Sequence, residues 1–495
     1  MSRMRTRNGC WTCRDAGYKC DEQKPRCGRC TRLGIDCQGY GIRCRWRQVQ
    51  PSVSPKRRKR SSRSPSSSSV GSAAFRNTAI DSSAATQKNE VVCTTNQASS
   101  SPVFLGLHSD ISPYHRRLLH HWTECLSGFI TVSSWRGDVN PLQIHLGGTV
   151  FVPGTLQSIV LSMSARHLAL LTADGSHDLI AYRYQQNAIS QLQQLIQHPV
   201  YCYSETTLTA VMMMLVYSRL FAEAEGVSSA HNHLLGAKAI ISRGSESGSP
   251  SYSSTKRFLL SLFAYHDILS SISRRAKPFM EYAPDVSTME DAASLHRISM
   301  VLHLVARITQ VHDMEMAKEI ARSRDFGPGD EPDFLAAAIE RGLLDLESPI
   351  EGHSDRILHI EYTAQAYRHA ALVYLYRVWH NVGAPHPTTL DHVHQCLSFL
   401  SRVPTESPLV SIHTWPLFTA GCESILPAQR QFVRSRLDDM FVARRFPSLK
   451  NLKSDIENVW RRKDAAHEMS GLAGMSRVDC IQVLLHGHGR EANLA

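Results

Sequence analysis

Six cysteines fall on a duplicated spacing: Cys10, Cys13 and Cys20 form one C-x2-C-x6-C half, and Cys27, Cys30 and Cys37 form a second. No other feature constrains the chain as tightly. A segment of fewer than forty residues cannot bury enough apolar surface to fold unaided, so it needs a staple. Of 13 cysteines, seven precede residue 45 and the others are scattered from Cys93 to Cys480, which is not a disulfide framework. A metal fits better. Each C-x2-C pair can grip an ion from the start of a helical turn, while the third cysteine closes from about two turns later. Zinc prefers four ligands in a tetrahedron. Two zinc ions need eight ligand positions and six thiolates supply six, so two sulfurs must bridge. The symmetry of the repeat selects Cys10 and Cys27.

RING or LIM arrangements need eight Cys/His ligands, and no histidine lies between Cys10 and Cys37. A lone C-x2-C could be a redox pair, but the duplication speaks against it. Cys44 stands outside the repeat and reads as an ordinary free cysteine. Charge reinforces the picture. Residues 1–65 carry 18 Lys/Arg against 4 Asp/Glu, whereas the rest of the chain carries 37 against 40. Nearly all of the net +11 therefore sits in one arm, which suggests a polyanionic partner.

With the spacing stand the Lys19-Cys20-Asp21 triplet, the Lys24-Pro25 turn before Cys27 and the Arg29-Cys30 pair. Together they resemble the fungal binuclear zinc cluster of transcription factors. The resemblance implies two zinc ions held by Cys10, Cys13, Cys20, Cys27, Cys30 and Cys37 and bridged by Cys10 and Cys27. It also implies two short helices, the first entering the DNA major groove. Arg14, Tyr18, Lys19, Lys24, Arg26, Arg29 and Arg32 are the candidate DNA contacts, most of them holding phosphates rather than reading bases. One departure matters. Where such proteins usually carry the basic readers of a CGG triplet, this chain has Ala16 and Gly17, preceded by Asp15. Neither small side chain can donate to guanine, and Asp would prefer cytosine N4. Lys19, Arg14 and Tyr18 are the remaining readers on that helix, and Gly17 admits a closer backbone approach.

After Trp46 the composition shifts: residues 51–110 hold sixteen serines, few large apolar residues and the breakers Pro51, Pro55 and Pro65. Disorder is expected there. Lys56-Arg57-Arg58-Lys59-Arg60 reads as a nuclear import signal, compatible with added phosphate contacts. No apolar heptads run between Arg47 and Ser109, so any homodimer must form through the large domain or another segment. The expected domains are a cluster at 1–47, a basic, Ser-rich linker at 48–110 and a regulatory domain at 111–495.

From Ser112-Pro113, an N-cap with proline at the first helical position, the pattern turns helical. Tyr114, Leu118, Trp122, Cys125, Leu126 and Phe129 follow at helical intervals. Similar periodicity covers 156–173, 179–197, 206–224, 233–242, 256–271, 295–311, 357–379, 390–402, 427–441 and 448–462. The fold class is mostly α, with looser stretches near 245–254 and 323–333. His233–Ala237, Tyr265–Ile268, Trp415–Phe418 and Ala420–Glu423 resemble the middle-homology domain of the same fungal regulators. That implies a helical regulatory domain.

No enzyme motif is present: no G-x-S-x-G, H-E-x-x-H, P-loop or dinucleotide fingerprint. His231 and His233 would lie on different helix faces and do not share a metal. Met212–Met214 reads as core, Asp267, Trp415 and Glu423 as packing and capping residues, and His486-Gly487-His488 as a loose tail. The longest apolar run is about ten residues, well short of a bilayer span. With no basic leader followed by an apolar stretch, an intracellular, soluble chain is expected.

The expected function is a nuclear, zinc-dependent, sequence-specific regulator of RNA polymerase II transcription. It would bind double-stranded promoter DNA, contact the transcription machinery and activate a pathway or biosynthetic gene cluster. The competing assignments are a ligand-sensing protein or enzyme acting through its helical domain, and a nucleic-acid binder without sequence preference. Trp11, Tyr18, Tyr40 and Trp46 are the aromatics near the basic cluster and do not form an RNA-stacking platform.

Overall fold

The computed structural model describes residues 10, 12, 13, 18–21, 23, 26–35 and 37 of the N-terminal segment. It further describes residues 112–130, 140–172, 175–221, 229–245, 253–282, 292–322, 331–347, 354–488 and 494. The chain divides into two compact units, residues 1–99 and 100–495. Among the described residues there is no β-strand. Arg14, Ala16, Gly17, Lys24, Cys44, Lys56–Arg60 and the rest of the Ser-rich linker lie outside the described residues.

In the larger unit the first helix starts as its sequence requires. Ser112 Oγ accepts the His115 N–H at 3.2 Å and Pro113 occupies the first turn of Pro113–His121. The helix loosens into a π-helical turn at Trp122–Leu126 and resumes at Ser127–Ile130. Leu118, Trp122 and Leu126 are buried, with Tyr114 and Phe129 packed beside them. Helix Pro141–Val150 follows, capped by Asn140 Oδ1 on the Leu142 N–H. Its apolar residues are not confined to one stripe and Gly147-Gly148 interrupts them, so periodicity did not reveal it.

Thr155–Thr172 is buried over most of its circumference, as expected of a helix without a polar face. It packs along Gly175–Gln197 and against Glu205–Phe221. Met212, Met213 and Met214 on the latter are all buried core residues. Ser229–Ser245 and Ser254–Arg274 extend this layer. A second group gathers around the long helix Asp355–Trp379, which packs against Ala292–Arg322, Pro387–Ser401 and Thr414–Cys422. Pro427–Arg444 and Pro447–Ser476 then lie side by side, the latter broken at Gly471, whose φ of 63° no helix tolerates. One contiguous apolar core links all of these, from Leu118 to Leu494.

Two readings need correction. The stretch His486-Gly487-His488 is the end of a helix, Cys480–His488, whose first turn Asp479 caps by accepting the Gln482 N–H at 3.0 Å. The segment read as loose near 323–333 is helical from Glu331, where Glu331–Asp345 begins. Its start was hidden by the breakers around Gly327-Pro328-Gly329, which lie outside the described residues.

Candidate metal centre and nucleic-acid interface

Backbone hydrogen bonds reproduce the sequence duplication. Cys10 Sγ accepts the Cys13 N–H at 3.5 Å, and Cys27 Sγ accepts the Cys30 N–H at 3.3 Å. Cys10 N–H donates to Cys20 Sγ at 3.3 Å, and Cys27 N–H donates to Cys37 Sγ at 3.4 Å. Tyr18 N–H reaches the Cys13 carbonyl, as Ile35 N–H reaches the Cys30 carbonyl. Each half is thus the same turn of chain. The C-x2-C spacing is a cap: the first cysteine is the N-cap and its sulfur satisfies the N–H three residues on. In the second half the short helix Gly28–Arg32 ends in a Schellman motif, with Gly34 at φ 61°. Gly17 holds the matching position in the first half of the sequence.

The sulfurs converge. Cys10, Cys13, Cys20 and Cys27 form one group whose ligand atoms lie within 4.8 Å of one another, and Cys10, Cys27, Cys30 and Cys37 form another. Cys10 and Cys27 belong to both, as the symmetry of the repeat required. Sγ–Sγ separations are 3.6 Å for Cys10–Cys27, 3.7 Å for Cys13–Cys27 and 3.9 Å for Cys10–Cys30. With metal–sulfur bonds of about 2.3 Å, the edge of a tetrahedron is about 3.8 Å long. A disulfide would need about 2.05 Å. The donor set therefore fits two tetrahedral sites sharing an edge. Among the described residues no other group of three or more His, Cys, Asp and Glu side chains brings its ligand atoms this close together.

Burial pushes the Cys10 and Cys30 thiols up. At Cys27 the Cys30 N–H pulls the thiol down, but burial and neighbouring thiols outweigh it and the group is pushed up to about 12. Such sulfurs ionise when cations lie among them, since a coordinating thiol is deprotonated outright.

Asp21 was not foreseen in its role. Its Oδ1 accepts the Gly28 N–H and its Oδ2 the Arg29 N–H, both at 3.0 Å, so one carboxylate ties the first half of the repeat to the helix of the second. A β-carbon at position 28 would sit 2.6 Å from Asp21 Oδ2, which explains glycine there. The signal was available in the Lys19-Cys20-Asp21 triplet and in the glycine after Cys27.

Of the candidate DNA contacts, Tyr18, Lys19, Arg26 and Arg32 are exposed and Arg29 is half-buried. Tyr18 is 61% exposed, and the Arg29 guanidinium lies 4.0 Å from its ring centroid. Arg29 Nη1 also donates to Cys13 Sγ at 3.7 Å. Arg29 is therefore bound into the cluster as a countercharge and as a shelf under Tyr18.

Of the four motifs noted in the larger unit, Tyr265–Ile268, Trp415–Phe418 and Ala420–Glu423 are buried, whereas in His233–Ala237 only Leu234 and Ala237 are. Asp267 accepts N–H bonds from Phe279 at 2.9 Å and Met280 at 3.2 Å, and the Tyr282 hydroxyl at 2.7 Å, fixing the chain after helix Ser254–Arg274. Burial raises its carboxyl pKa, against the pull of these donors. Trp415 is buried against Tyr367. Glu423 receives Arg377 Nη2 at 2.7 Å, Lys463 Nζ at 2.5 Å and the Ala384 N–H at 2.8 Å. Burial alone would raise its pKa; Lys463 and Arg377 win and hold it at about 2.

Residues 117–494 match the fungal specific transcription factor domain, and residues 8–47 match the fungal Zn(2)-Cys(6) binuclear cluster domain. The segment is 48% identical over 46 residues to the arginine metabolism regulation protein II of Saccharomyces cerevisiae, covering 9% of this chain and 5% of that protein. It is 51% identical over 43 residues to the pestheic acid cluster transcriptional regulator 3 of Pestalotiopsis fici, 9% of this chain and 8% of the relative. It is 57% identical over 37 residues to the sterol uptake control protein 2 of Candida albicans, 8% of this chain and 5% of the relative. These likenesses span less than a tenth of each relative's length. No solved structure matches the chain significantly.

Proposed function

This chain belongs to the fungal transcription regulators that join a Zn(2)-Cys(6) cluster domain to a fungal specific transcription factor domain, and on that premise we propose how its residues carry out DNA binding and regulation. The family consists of zinc-binding, DNA-binding transcription regulators, not enzymes. Cys10, Cys13, Cys20, Cys27, Cys30 and Cys37 would hold two zinc ions, Cys10 and Cys27 being the sulfurs common to both groups. Zinc supplies positive charge that keeps the thiolates ionised and a covalent staple for a segment too small to fold by burial.

On that scaffold, residues 1–47 dock on duplex DNA. Lys24, Arg26 and Arg32 neutralise phosphates, while Arg29 steadies the cluster and Tyr18 beside it. Lys19 is exposed next to Cys20, which supports its reading as a residue that reaches a base edge. With Ala16 and Gly17 at the usual reading positions, selectivity rests on Lys19, Arg14 and backbone approach at Gly17. Residues 48–110 form the linker, with Lys56–Arg60 as the nuclear import signal. Residues 111–495 form the regulatory body that alters recruitment of RNA polymerase II.

An activator of a local pathway or gene cluster is the best reading of the whole chain. It is supported by relatives whose names refer to arginine metabolism and to the pestheic acid cluster. The observation that carries the proposal is the pair of four-sulfur groups sharing Cys10 and Cys27. Metal analysis of the purified full-length chain tests it. Two zinc ions per chain are expected, and Cys20→Ala is expected to hold fewer and to lose zinc-dependent DNA binding. Two zinc ions retained by Cys20→Ala would overturn the ligand assignment.

A further inference from the structure

A cavity of about 280 Å3 lies in the helical body where four segments meet: the ends of helices Ser254–Arg274 and Asp355–Trp379, helix Ala292–Arg322 at His312, and the turn into Cys480–His488. Its size falls just below the usual range of ligand pockets, roughly 300–1,000 Å3, and suits a small ligand. Three arginines line it: Arg275, Arg377 and Arg477. Ile272, Val378, Ile481 and Tyr374 give it an apolar wall.

The charges do not cancel. Arg275 faces Asp479 at 3.4 Å and donates to His312 Nε2 at 3.2 Å. Arg377 is buried, and one Glu423 carboxylate is shared between it and Lys463. Arg477 is exposed, at the rim. Counting the pair behind the wall, four basic groups meet two carboxylates, an excess of two positive charges. The two helix C-termini contribute about half a negative charge each, and the N-terminus of Cys480–His488 about half a positive one. The excess survives.

Two further features lie at the cavity, the first of them shared with Arg445, which does not line it. Arg275 and Asn381, both lining it, hold left-handed backbone at φ 52° and 51°, where glycine would be the unstrained choice after a helix. The Arg377 Nε–H is buried without a hydrogen-bond partner, and Gly383 is needed beside it, because a β-carbon there would collide with the guanidinium.

We infer that this cavity is a binding site for a small dicarboxylate with an apolar backbone, its charges received by Arg275 and Arg477 with Arg377 behind them. Planar guanidinium groups match carboxylates in a two-pronged geometry, and the apolar wall favours an organic anion over an inorganic one. The site rests on and deepens the regulatory reading of the helical body, because a ligand here would join four separate segments of it.

The test is calorimetric titration of full-length, zinc-loaded chain with glutarate, its neutral analogue glutaramide and inorganic phosphate. Saturable binding of glutarate at millimolar concentrations or below is expected, with none for glutaramide and at least tenfold weaker binding of phosphate. Arg275→Gln with Arg477→Gln should weaken glutarate about tenfold or more, while the thermal transition of the unliganded variant confirms that it folds. No saturable glutarate binding, unchanged affinity in the double variant, or phosphate binding as tight as glutarate would each overturn the assignment. The readout contains no DNA, so its failure is separable from any failure of the DNA-binding reading.

Discussion

Asp21 shows how much one side chain carries in a segment with almost no core. It satisfies two backbone donors of the second half of the repeat from a position in the first, and Gly28 exists to let it approach. Asp21→Ala removes both acceptors and should cost about 1–2 kcal/mol of cluster stability. The measurable result is zinc lost to a chelator at a correspondingly lower concentration, with two zinc ions still bound in its absence. An unchanged chelator midpoint would contradict the capping role. The pattern of cysteines was legible in full, because ligand spacing is a local property of the chain. Asp21 was legible only as part of a resemblance, since its partners lie seven and eight residues away across a turn. Arg29 changed its meaning: written as one more basic residue, it turns out to be engaged with Tyr18 and Cys13.

Among the helices, the Glu423 junction is the point where three elements lock. Glu423 ends Thr414–Cys422, Arg377 comes from Asp355–Trp379 and Lys463 from Pro447–Ser476. Arg377 also donates to the Ser476 carbonyl at 2.6 Å. Glu423→Gln leaves two buried cations without their carboxylate and should destabilise the helical body by roughly 3–5 kcal/mol. Thermal unfolding followed by the helical circular-dichroism signal would show it, and a transition unmoved from that of the parent chain would refute it. Long helices with one apolar face were readable from periodicity alone, and the core methionines with them. Short helices were not: Pro141–Val150 lacks a polar stripe, and Cys480–His488 is too brief for a period to show. The Glu423 junction was also beyond reach, since nothing in a sequence pairs residue 423 with 377 and 463.

At the scale of the whole molecule the histidines set a direction of pH response. Burial lowers His121, His266 and His369 from an ordinary value of 6.5 to about 3. His121 is held neutral in a chain with His167, whose Nε2 lies 2.9 Å from the Arg444 carbonyl. Between pH 6.5 and 3 the unfolded chain binds protons that the folded chain excludes, so stability falls as the solution is acidified. Glu423 acts in the same sense at lower pH, its contribution present above 4.5 and lost as pH falls toward 2. The thermal transition of the helical signal is therefore expected to be highest near neutrality and to decline from about pH 6.5 downward. A transition constant between pH 7 and 5 would show that these histidines are accessible to protons. Among the described residues no single helix is long and apolar enough to cross a membrane.

The central claim is that zinc organises residues 1–47 into a reader of duplex DNA. Selection from a random duplex library by zinc-loaded, full-length protein, with and without a chelator, tests it most directly. A recurrent sequence motif that disappears on chelation and returns with zinc is expected, even though Ala16 and Gly17 stand at the usual reading positions. An unenriched library, or enrichment that survives loss of zinc, would contradict it.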